Sequence, residues 1–474
     1  VPAVFNFFLL TCKVAIVSLA GIQYNLHFVF CAGGRCVNSN SSKPLKVGIC
    51  GLGTVGFGTL QLLKTNAEEI TRRTGCEIHV VHVATRTLDQ KKVAWVPASG
   101  TDPFALVNDP DVDVVVETMG GFEPAFSVIK KALEKGKHVI TANKALIAEH
   151  GNELFATARA NNVSLTFESA VAGGIPIIKA LREGLAANKI SSIAGIINGT
   201  GNFILTEMGA NQRQFDDVLA EAQALGYAEA DPKFDVEGID AAHKLTIMAS
   251  IAFGLPLDFS KTYTEGISRI TPEDILYADE LGYKIKHLGI AVLNGTQAEV
   301  RVHPALISKS QLLAHVNGVG NAILVEGNAV GSTMYTGPGA GAEATASAVV
   351  ADIIDLARVI VSGADRPPVA MLGYLEPRSD LTVLPIEDIR TEYYLRILVE
   401  DKLGVLAKIT SCLQDAGVSI EAVIQKERVS QTVSIVILTD TALEADLNKA
   451  LTAIESLDEV TGKINRIRVA SLAK

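Results

Sequence analysis

Residues 44–71 place a short β-rich apolar run, PLKVGIC (Pro44 to Cys50), directly before a glycine turn, GLGTVGFG, and a helical pattern from Thr54 to about Thr71. Strand, glycine turn and helix in succession commit this end of the chain to a βα unit of an α/β domain. Gly51, Gly53 and Gly56 fit G-x-G-x-x-G. The first permits the tight turn, the second lets a pyrophosphate approach the backbone, and the third lets the helix pack on the strand. Thr54 and Val55, inside the same turn, complete the candidate cofactor-binding set. A glycine motif alone is a weak signal, but this one sits in the context that dinucleotide binding requires.

The next strand, EIHVVHVATR (Glu77 to Arg86), ends without the carboxylate that usually holds a ribose 2′-hydroxyl in NAD enzymes. Arg86, with Lys91 and Lys92 nearby, suits a 2′-phosphate instead, so NADP(H) is the preferred cofactor and NAD(H) an accepted one. The competing reading leaves Arg86 a plain surface residue. DVDVVVE (Asp111 to Glu117) reads as a buried parallel strand, and TMGG follows at its carboxyl end, where crevices of open α/β sheets form. Glu117, Thr118 and Gly120 are candidates for lining the nicotinamide side, although Gly120 and Gly121 serve equally well as turn residues. KHVIT then leads into ANKAL. Position alone leaves Lys144 either reaching into the cleft or opening a helix in solvent.

Residues 151–162 read as a helix, and SLTFE runs into the small-residue loop Ser169 to Gly174 before Pro176. Glu168, with the carbonyls of Val171, Gly173 and Ile175, is a candidate set for a monovalent cation; a plain tight loop is the alternative. GYAEADPKFDVEGIDAAHKLT (Gly226 to Thr246) concentrates Glu229, Asp231, Asp235, Glu237 and Asp240 just ahead of an apolar helical pattern. In a helix beginning near Gly238, Asp240 and Lys244 share a face, so the carboxylate can orient the ammonium. Alone, the segment reads as a solvated acidic loop; beside a nucleotide turn and a second lysine, Lys144, it becomes a wall of a substrate pocket. Asp231, Glu237 and His243 keep the ordinary structural reading. From about Tyr283 to Thr336 the pattern is extended, and GPGAGAEATASAVVADIIDLARVI then opens a long helix with backbone amides at its glycine-rich start.

The whole chain has 474 residues, 48% hydrophobic and 20% charged, enough for two or three domains with real cores. A net charge of −10 argues against a nucleic-acid surface and for small-molecule partners. Residues 1–30 are almost uncharged, Lys13 being the only formal charge, and CAGGRCVNSNSSKP follows. A membrane anchor or uncleaved signal is the minority reading, because Lys13 interrupts the run, a basic n-region is missing, and Asn6, Gln23, Asn25 and His27 are scattered through it. The favoured reading of residues 1–43 is a mis-set start or non-native leader. Cys50, Cys76 and Cys412 lie far apart in the body, which offers no disulfide framework and suits a reducing cytoplasm. Prolines at 367, 368, 377 and 385 mark a linker, beyond which the strand and helix order is βαββαβ, a ferredoxin-like module without clustered acid and base.

GLGTVG, TANKAL, ESAVAGGIPI, NGTGNFIL, GYAEADPKFDVEGIDAAHKL and GPGAGAEATASAV, in this order, resemble the bacterial homoserine dehydrogenases that carry a C-terminal ACT domain. The resemblance covers Pro44 to the end. It implies a Rossmann-type nucleotide-binding domain (44–150), an α+β substrate and dimerisation domain (151–376) whose last part returns to the first, and an ACT domain (391–474). The implied activity is NAD(P)-linked, reversible reduction of L-aspartate 4-semialdehyde to L-homoserine, a step toward threonine, methionine and isoleucine, in a homodimer or homotetramer. It further implies Lys244 as proton donor with Asp240 beside it, and Glu229 and Asp235 around the substrate amino group. Lys144 falls near nicotinamide and substrate, Gly339 near the cofactor, and Glu168, Val171, Gly173 and Ile175 at a sodium site. Threonine is the implied ACT effector, with Gly404 and Gly417 at turns. Chemically, an ammonium suits the alkoxide that hydride transfer creates. Another NADP-linked amino-acid dehydrogenase and a non-catalytic sensor are the competing functions; the complete acid and lysine set counts against the second.

Overall fold

The computed structural model describes residues 43–364, 369–426 and 432–472, together with the backbone of Ser18–Leu19 and Ile22–Gln23. Those dipeptides pair antiparallel within a separate unit, Val1–Ser42. The rest of the leader, and Pro367 and Pro368 of the expected linker, lie outside the described residues.

In the unit Lys43–Lys474, the strands β1 (Leu45–Cys50), β2 (Ile78–Ala84), β3 (Ala98–Gly100), β4 (Val114–Glu117), β5 (His138–Thr141) and β6 (Leu165–Thr166) form a six-stranded parallel sheet in the order β3-β2-β1-β4-β5-β6. The order reverses between β1 and β4, which opens a crevice beyond their carboxyl ends. Helices cover both faces of such a sheet, and β4 is accordingly apolar and fully buried up to Glu117.

Helix α1 (Thr54–Thr65) follows β1, and α2 (Lys144–Ala160) follows β5. The boundary expected at 150–151 would cut α2 and must be moved. Leu146, Ile147, Leu154, Phe155 and Ala158 form one buried helical stripe across it. Gly151 does not break the helix but makes room for Leu257, whose Cδ1 would lie 2.6 Å from a Cβ there. The nucleotide sheet therefore runs on to β6.

A second, antiparallel sheet holds β7 (Ile190–Ile196), β8 (Tyr283–Asn294), β9 (Gln297–Ser308), β10 (Gly320–Gly327) and β11 (Gly331–Pro338), in the order β11-β10-β7-β8-β9. Two helices important for the site lie in this region: α3 (Gly199–Asn211), after β7, and α4 (Ile239–Phe253). Helix α5 (Ala342–Val361) leaves the sheet and returns to the nucleotide domain, where Val349 and Ile353 share a core with Val47, Ile49 and Val83.

The tail contributes β12 (Tyr393–Glu400), β13 (Ile420–Gln425), β14 (Thr432–Thr439) and β15 (Asn465–Val469), with helices Val405–Asp415 and Glu444–Glu455. Gly404 (φ +86°) and Gly417 (φ +72°) take the left-handed backbone at the two ends of the first of these helices. β15 pairs in parallel with β9, Ala305 opposite Arg468 and Leu306 opposite Val469, so both sheets merge into one of eleven strands.

A buried carboxylate, Asp274 of the helix Pro272–Glu280, fastens the tail to this region. Arg396 donates from Nε to Asp274 Oδ1 at 2.6 Å and from Nη1 to Glu273 Oε2 at 2.9 Å. Asn465 donates to Asp274 Oδ2 at 2.8 Å, and Tyr394 to Oδ1 at 3.1 Å. Removing one partner of a buried pair leaves the other charge uncompensated. Asp274→Ala should therefore destabilise the chain by about 3–5 kcal/mol, read from chemical denaturation; an unchanged midpoint would show that the tail's attachment does not depend on this charge.

Lys286, on β8, is 3% exposed and donates to Val316 O (2.6 Å), Asn317 Oδ1 (3.1 Å) and Asn202 Oδ1 (3.2 Å), clamping the segment before β10 to α3. Burial, reinforced by the Lys284 ammonium, pushes its pKa down to about 8. Above that pH the unfolded chain binds the additional proton, up to the ordinary lysine value of about 10.4, so this group's contribution to stability rises with pH. Lys286→Met should flatten the rise of the urea midpoint between about pH 8 and 10 relative to the parent chain.

Candidate active site

At the end of β1 the chain turns through Gly51 at φ +95°, where a Cβ would lie 2.8 Å from the Thr118 carbonyl oxygen. A Cβ on Gly56 would lie 1.9 Å from Gly51 O, so only glycine lets α1 pack this close. The Thr118 hydroxyl donates to Gly51 O at 2.8 Å and Cys50 O at 3.2 Å, tying the turn to the end of β4. Gly53 caps α1 without a side-chain hydrogen bond, and its Cβ position is open. The first-turn amides at Thr54 and Val55 have no intrahelical acceptor and face that space, a fit for a pyrophosphate. Arg86 stands exposed just past the end of β2, and the Lys92 ammonium lies 5.0 Å from the centre of the Phe57 ring. Glu117 is buried and accepts from Thr141 Oγ1 (2.6 Å), Met119 N (2.7 Å) and Gly120 N (3.2 Å); it fastens the crevice wall and does not line it.

Opposite this crevice, Gly238 (φ +81°) starts α4 directly after the acidic segment. Asp240 is 5% exposed. Its Oδ2 accepts from Lys244 Nζ at 2.7 Å and Asn198 Nδ2 at 2.9 Å, and its Oδ1 lies 3.2 Å from Lys144 Nζ. Lys244 also donates to Ile197 O at 2.8 Å, and Asn198 Nδ2 reaches Asp235 Oδ1 at 2.8 Å. Burial alone would raise the Asp240 carboxyl, but the Lys244 and Lys144 ammoniums outweigh it and hold the group well below the usual carboxylate range. Asp235 moves the other way, raised by burial and by the Asp240 carboxylate. Lys144 occupies the first position of α2, which Asn143 caps by accepting from Leu146 N at 3.2 Å, and its ammonium lies 5.6 Å from the centre of the Phe234 ring. The two positional readings of this lysine thus combine: it opens a helix and points at the acid cluster.

Glu229 is not drawn into the cluster. It is exposed, and its carboxylate has no partner among the described residues; its backbone carbonyl accepts from Gln223. His243 is buried against Glu149 (3.1 Å) and the Phe259 ring, a structural role. Asn198 was hidden in the sequence as the end of a strand. The available sign was its place before Gly-Thr-Gly, because its Oδ1 caps α3 by accepting from Gly201 N at 2.8 Å.

The loop after β6 needs a correction. The Glu168 carboxylate accepts from Ile178 N (3.0 Å) and Lys179 N (2.9 Å), so two amides of the following turn already occupy it. The Glu168 and Ile175 carbonyls accept from Val171 N and Ile177 N. A cation here would be held by carbonyl oxygens, with Val171 and Gly173 the least engaged, and not by the carboxylate. Among the described residues, no group of three or more His, Cys, Asp or Glu side chains is placed to hold a metal ion. Gly339 packs on the loop after β6, where a Cβ on Gly173 would be 2.5 Å from its carbonyl oxygen, and three residues further on a Cβ on Gly58 of α1 would be 2.7 Å from Ala342 O.

Comparisons with known proteins fit this layout. The family described as "Homoserine dehydrogenase, NAD binding domain" matches residues 51–168, "Homoserine dehydrogenase" matches 176–354, and "ACT domain" matches 393–459. A homoserine dehydrogenase of Pseudomonas aeruginosa is 55% identical over 91% of this chain and 100% of its own length, and one of Neisseria gonorrhoeae is 53% identical over 91% and 99%. The crystal structure of a homoserine dehydrogenase from Thiobacillus denitrificans superposes with a TM-score of 0.87 at 54% identity, covering 91% of this chain and 99% of that one. A hyperthermophilic archaeal homoserine dehydrogenase in complex with NADPH aligns over 71% of this chain and 100% of its own, with a TM-score of 0.57 and 28% identity. Matches to all three family descriptions, and identity above 50% along nearly the whole length of such relatives, mean that the chain belongs to the homoserine dehydrogenase family of NAD(P)-linked oxidoreductases.

Proposed function

We propose that Lys244 polarises and protonates the carbonyl oxygen when L-aspartate 4-semialdehyde is reduced to L-homoserine, and that in the reverse direction its amine takes the proton back. The observation carrying this reading is the hydrogen-bond count at Nζ. An ammonium has three N–H bonds; Asp240 Oδ2 and Ile197 O take two, and the third is available for the substrate oxygen. When bound, the nicotinamide cofactor supplies or accepts the hydride. Asp240 holds the Lys244 ammonium in direction and charge, and Asp235, joined to it through Asn198, recognises the substrate ammonium. Lys144 holds the far side of Asp240 and faces substrate and nicotinamide.

The turn residues Gly51, Gly53, Thr54, Val55 and Gly56 hold the pyrophosphate, while Thr118 and Gly339 border the cofactor. Arg86, aided by Lys91 and Lys92, favours NADP(H) over NAD(H). A sodium ion, where present, is held by the carbonyl oxygens of residues 168–175. Threonine acts at the ACT domain, whose sheet shares a core with Ala228 and Val236 beside the substrate carboxylates. The chain assembles as a homodimer or homotetramer, and its exposed outer strand β11 leaves a sheet edge available.

Lys244→Ala should lower kcat by about 10²–10⁴ while the dissociation constant for NADPH stays within about twofold; near-normal turnover would sink the proton-transfer role. Arg86→Ala should raise KM for NADP by about tenfold and leave KM for NAD unchanged, since a charged hydrogen bond to phosphate contributes about 1.5–3 kcal/mol. An equal effect on both cofactors would remove the 2′-phosphate assignment. Turnover of other amino alcohols at rates equal to homoserine would favour a broader amino-acid dehydrogenase.

A further inference from the structure

His287, on β8, is 5% exposed, and its ring stands against the starts of both helices that build the acid and lysine pocket. At Gly238, where α4 begins, a Cβ would lie 3.0 Å from His287 Cε1 and 3.1 Å from Nε2; at Gly201, in the first turn of α3, it would lie 3.6 Å from Nδ1. Opposite edges of one imidazole thus meet two glycines, one on each helix start. One bond fixes the ring. Burial lowers its pKa, so it stays neutral with a proton on one nitrogen. Nε2 lies 3.0 Å from the Glu265 carbonyl oxygen, which only accepts, so Nε2 carries the hydrogen and Nδ1 the lone pair. Nδ1 has no partner, and a buried acceptor without one costs free energy. A leucine would supply the bulk without that cost, but would lose the bond to Glu265. Glu265 is itself held at both ends: its amide donates to Val302 O at 2.8 Å, and its carboxylate accepts from Tyr263 Oη at 2.8 Å and Arg468 Nη1 at 2.7 Å.

What the two helix starts carry makes their spacing matter. Asn198 caps α3, its Oδ1 accepting from Gly201 N at 2.8 Å, and its Nδ2 donates to Asp235 Oδ1 at 2.8 Å and Asp240 Oδ2 at 2.9 Å. Both N–H bonds of the carboxamide are committed, one to each carboxylate on either side of Gly238. A relative shift of about 1 Å between the helix starts would carry one of these bonds beyond hydrogen-bond range. We infer that His287 is a positioning residue for the reaction: by spacing Gly201 from Gly238 it sets the Asn198 bridge to Asp235 and Asp240, and through Asp240 the direction of the Lys244 ammonium. The inference rests on the proposed roles of Asp235 and Lys244. His287 acts through Asn198 and needs no contact with substrate or cofactor.

The test is steady-state kinetics of homoserine oxidation, expressed per folded protein as counted by NADPH titration. His287→Ala removes the ring and its bond. Its kcat should fall about 10- to 100-fold, the loss that roughly an ångström of misplacement causes, while the NADPH dissociation constant stays within about twofold. KM for homoserine should rise several-fold as Asp235 leaves its place. His287→Gln, whose carboxamide nitrogen can donate to Glu265 O, should recover most of both losses. His287→Leu keeps the bulk without the donor; it guards against collapse of the alanine variant and should lie between the other two. In an Asn198→Ala background, His287→Ala should cost less than about twofold more, because the asparagine through which it acts is gone. Additive losses in that double variant overturn the inference. So does an unchanged kcat per folded protein in the alanine and leucine variants with only a lower melting temperature, which makes His287 a stability residue alone. Full turnover in Asn198→Ala by itself would refute the underlying reading of the pocket, and the inference with it.

Discussion

One carboxylate holds the reaction pocket together. Asp240 draws on two segments distant in sequence, Lys144 from the β5–α2 junction and Asn198 from the β7–α3 junction, and on Lys244 one turn along its own helix. The buried Lys244 ammonium does not tolerate the loss of this counter-charge, because an uncompensated buried ion costs several kcal/mol, whereas Lys144 keeps part of its side chain in solvent. The charges around it balance as well, with Asp235 and Asp240 facing Lys144 and Lys244. A pocket with no large excess of either sign suits a zwitterionic amino acid, which enters without leaving a net buried charge.

The nucleotide and substrate sides are joined by backbone contacts at glycines. At Gly58 against Ala342, and at Gly173 against Gly339, the nearest atoms are carbonyl groups, which cannot rotate aside as a side chain can. Close packing there is rigid. It fixes how α1 and the loop after β6 sit against the start of α5, while the Lys144 side chain reaches from the end of the nucleotide sheet to Asp240.

Much of this was legible in the sequence because the signals are local. The glycine spacing after PLKVGIC, the apolar run of β4 and the βαββαβ order of the tail each depend on residues within a few positions of one another, and Asp240 with Lys244 is an i,i+4 pair. What escaped was non-local. Nothing in NRIRV shows that β15 will pair with β9, which precedes it by some 160 residues. An acid at position 168 reads as a ligand until the turn at 177–179 is seen folding back onto it. Gly151 reads as the start of a helix until Leu257 is seen packed against it within a helix that begins at Lys144. Asn198 looks like the ordinary end of a strand because its partners, Asp235, Asp240 and Gly201, come later in the chain.

The merged sheet constrains how the tail can act. Ala228 and Val236, neighbours of Glu229 and Asp235, share one core with Tyr394, Val436, Leu438 and Ile467 of the ACT sheet. Ile267 N donates to Val236 O at 2.9 Å, and two residues earlier Glu265 Oε2 accepts from the buried Arg468 Nη1 at 2.7 Å. Detaching the ACT sheet would expose these apolar side chains, at about 1.5–3 kcal/mol each, and break the Arg396 and Arg468 networks. An effector bound at micromolar to millimolar affinity supplies only about 4–8 kcal/mol, too little for that. An effector bound there would therefore act by a small displacement of a sheet that stays docked. Because Val236 lies against that sheet while Asp235 lies in the pocket, such a displacement reaches the carboxylate through a single residue of backbone.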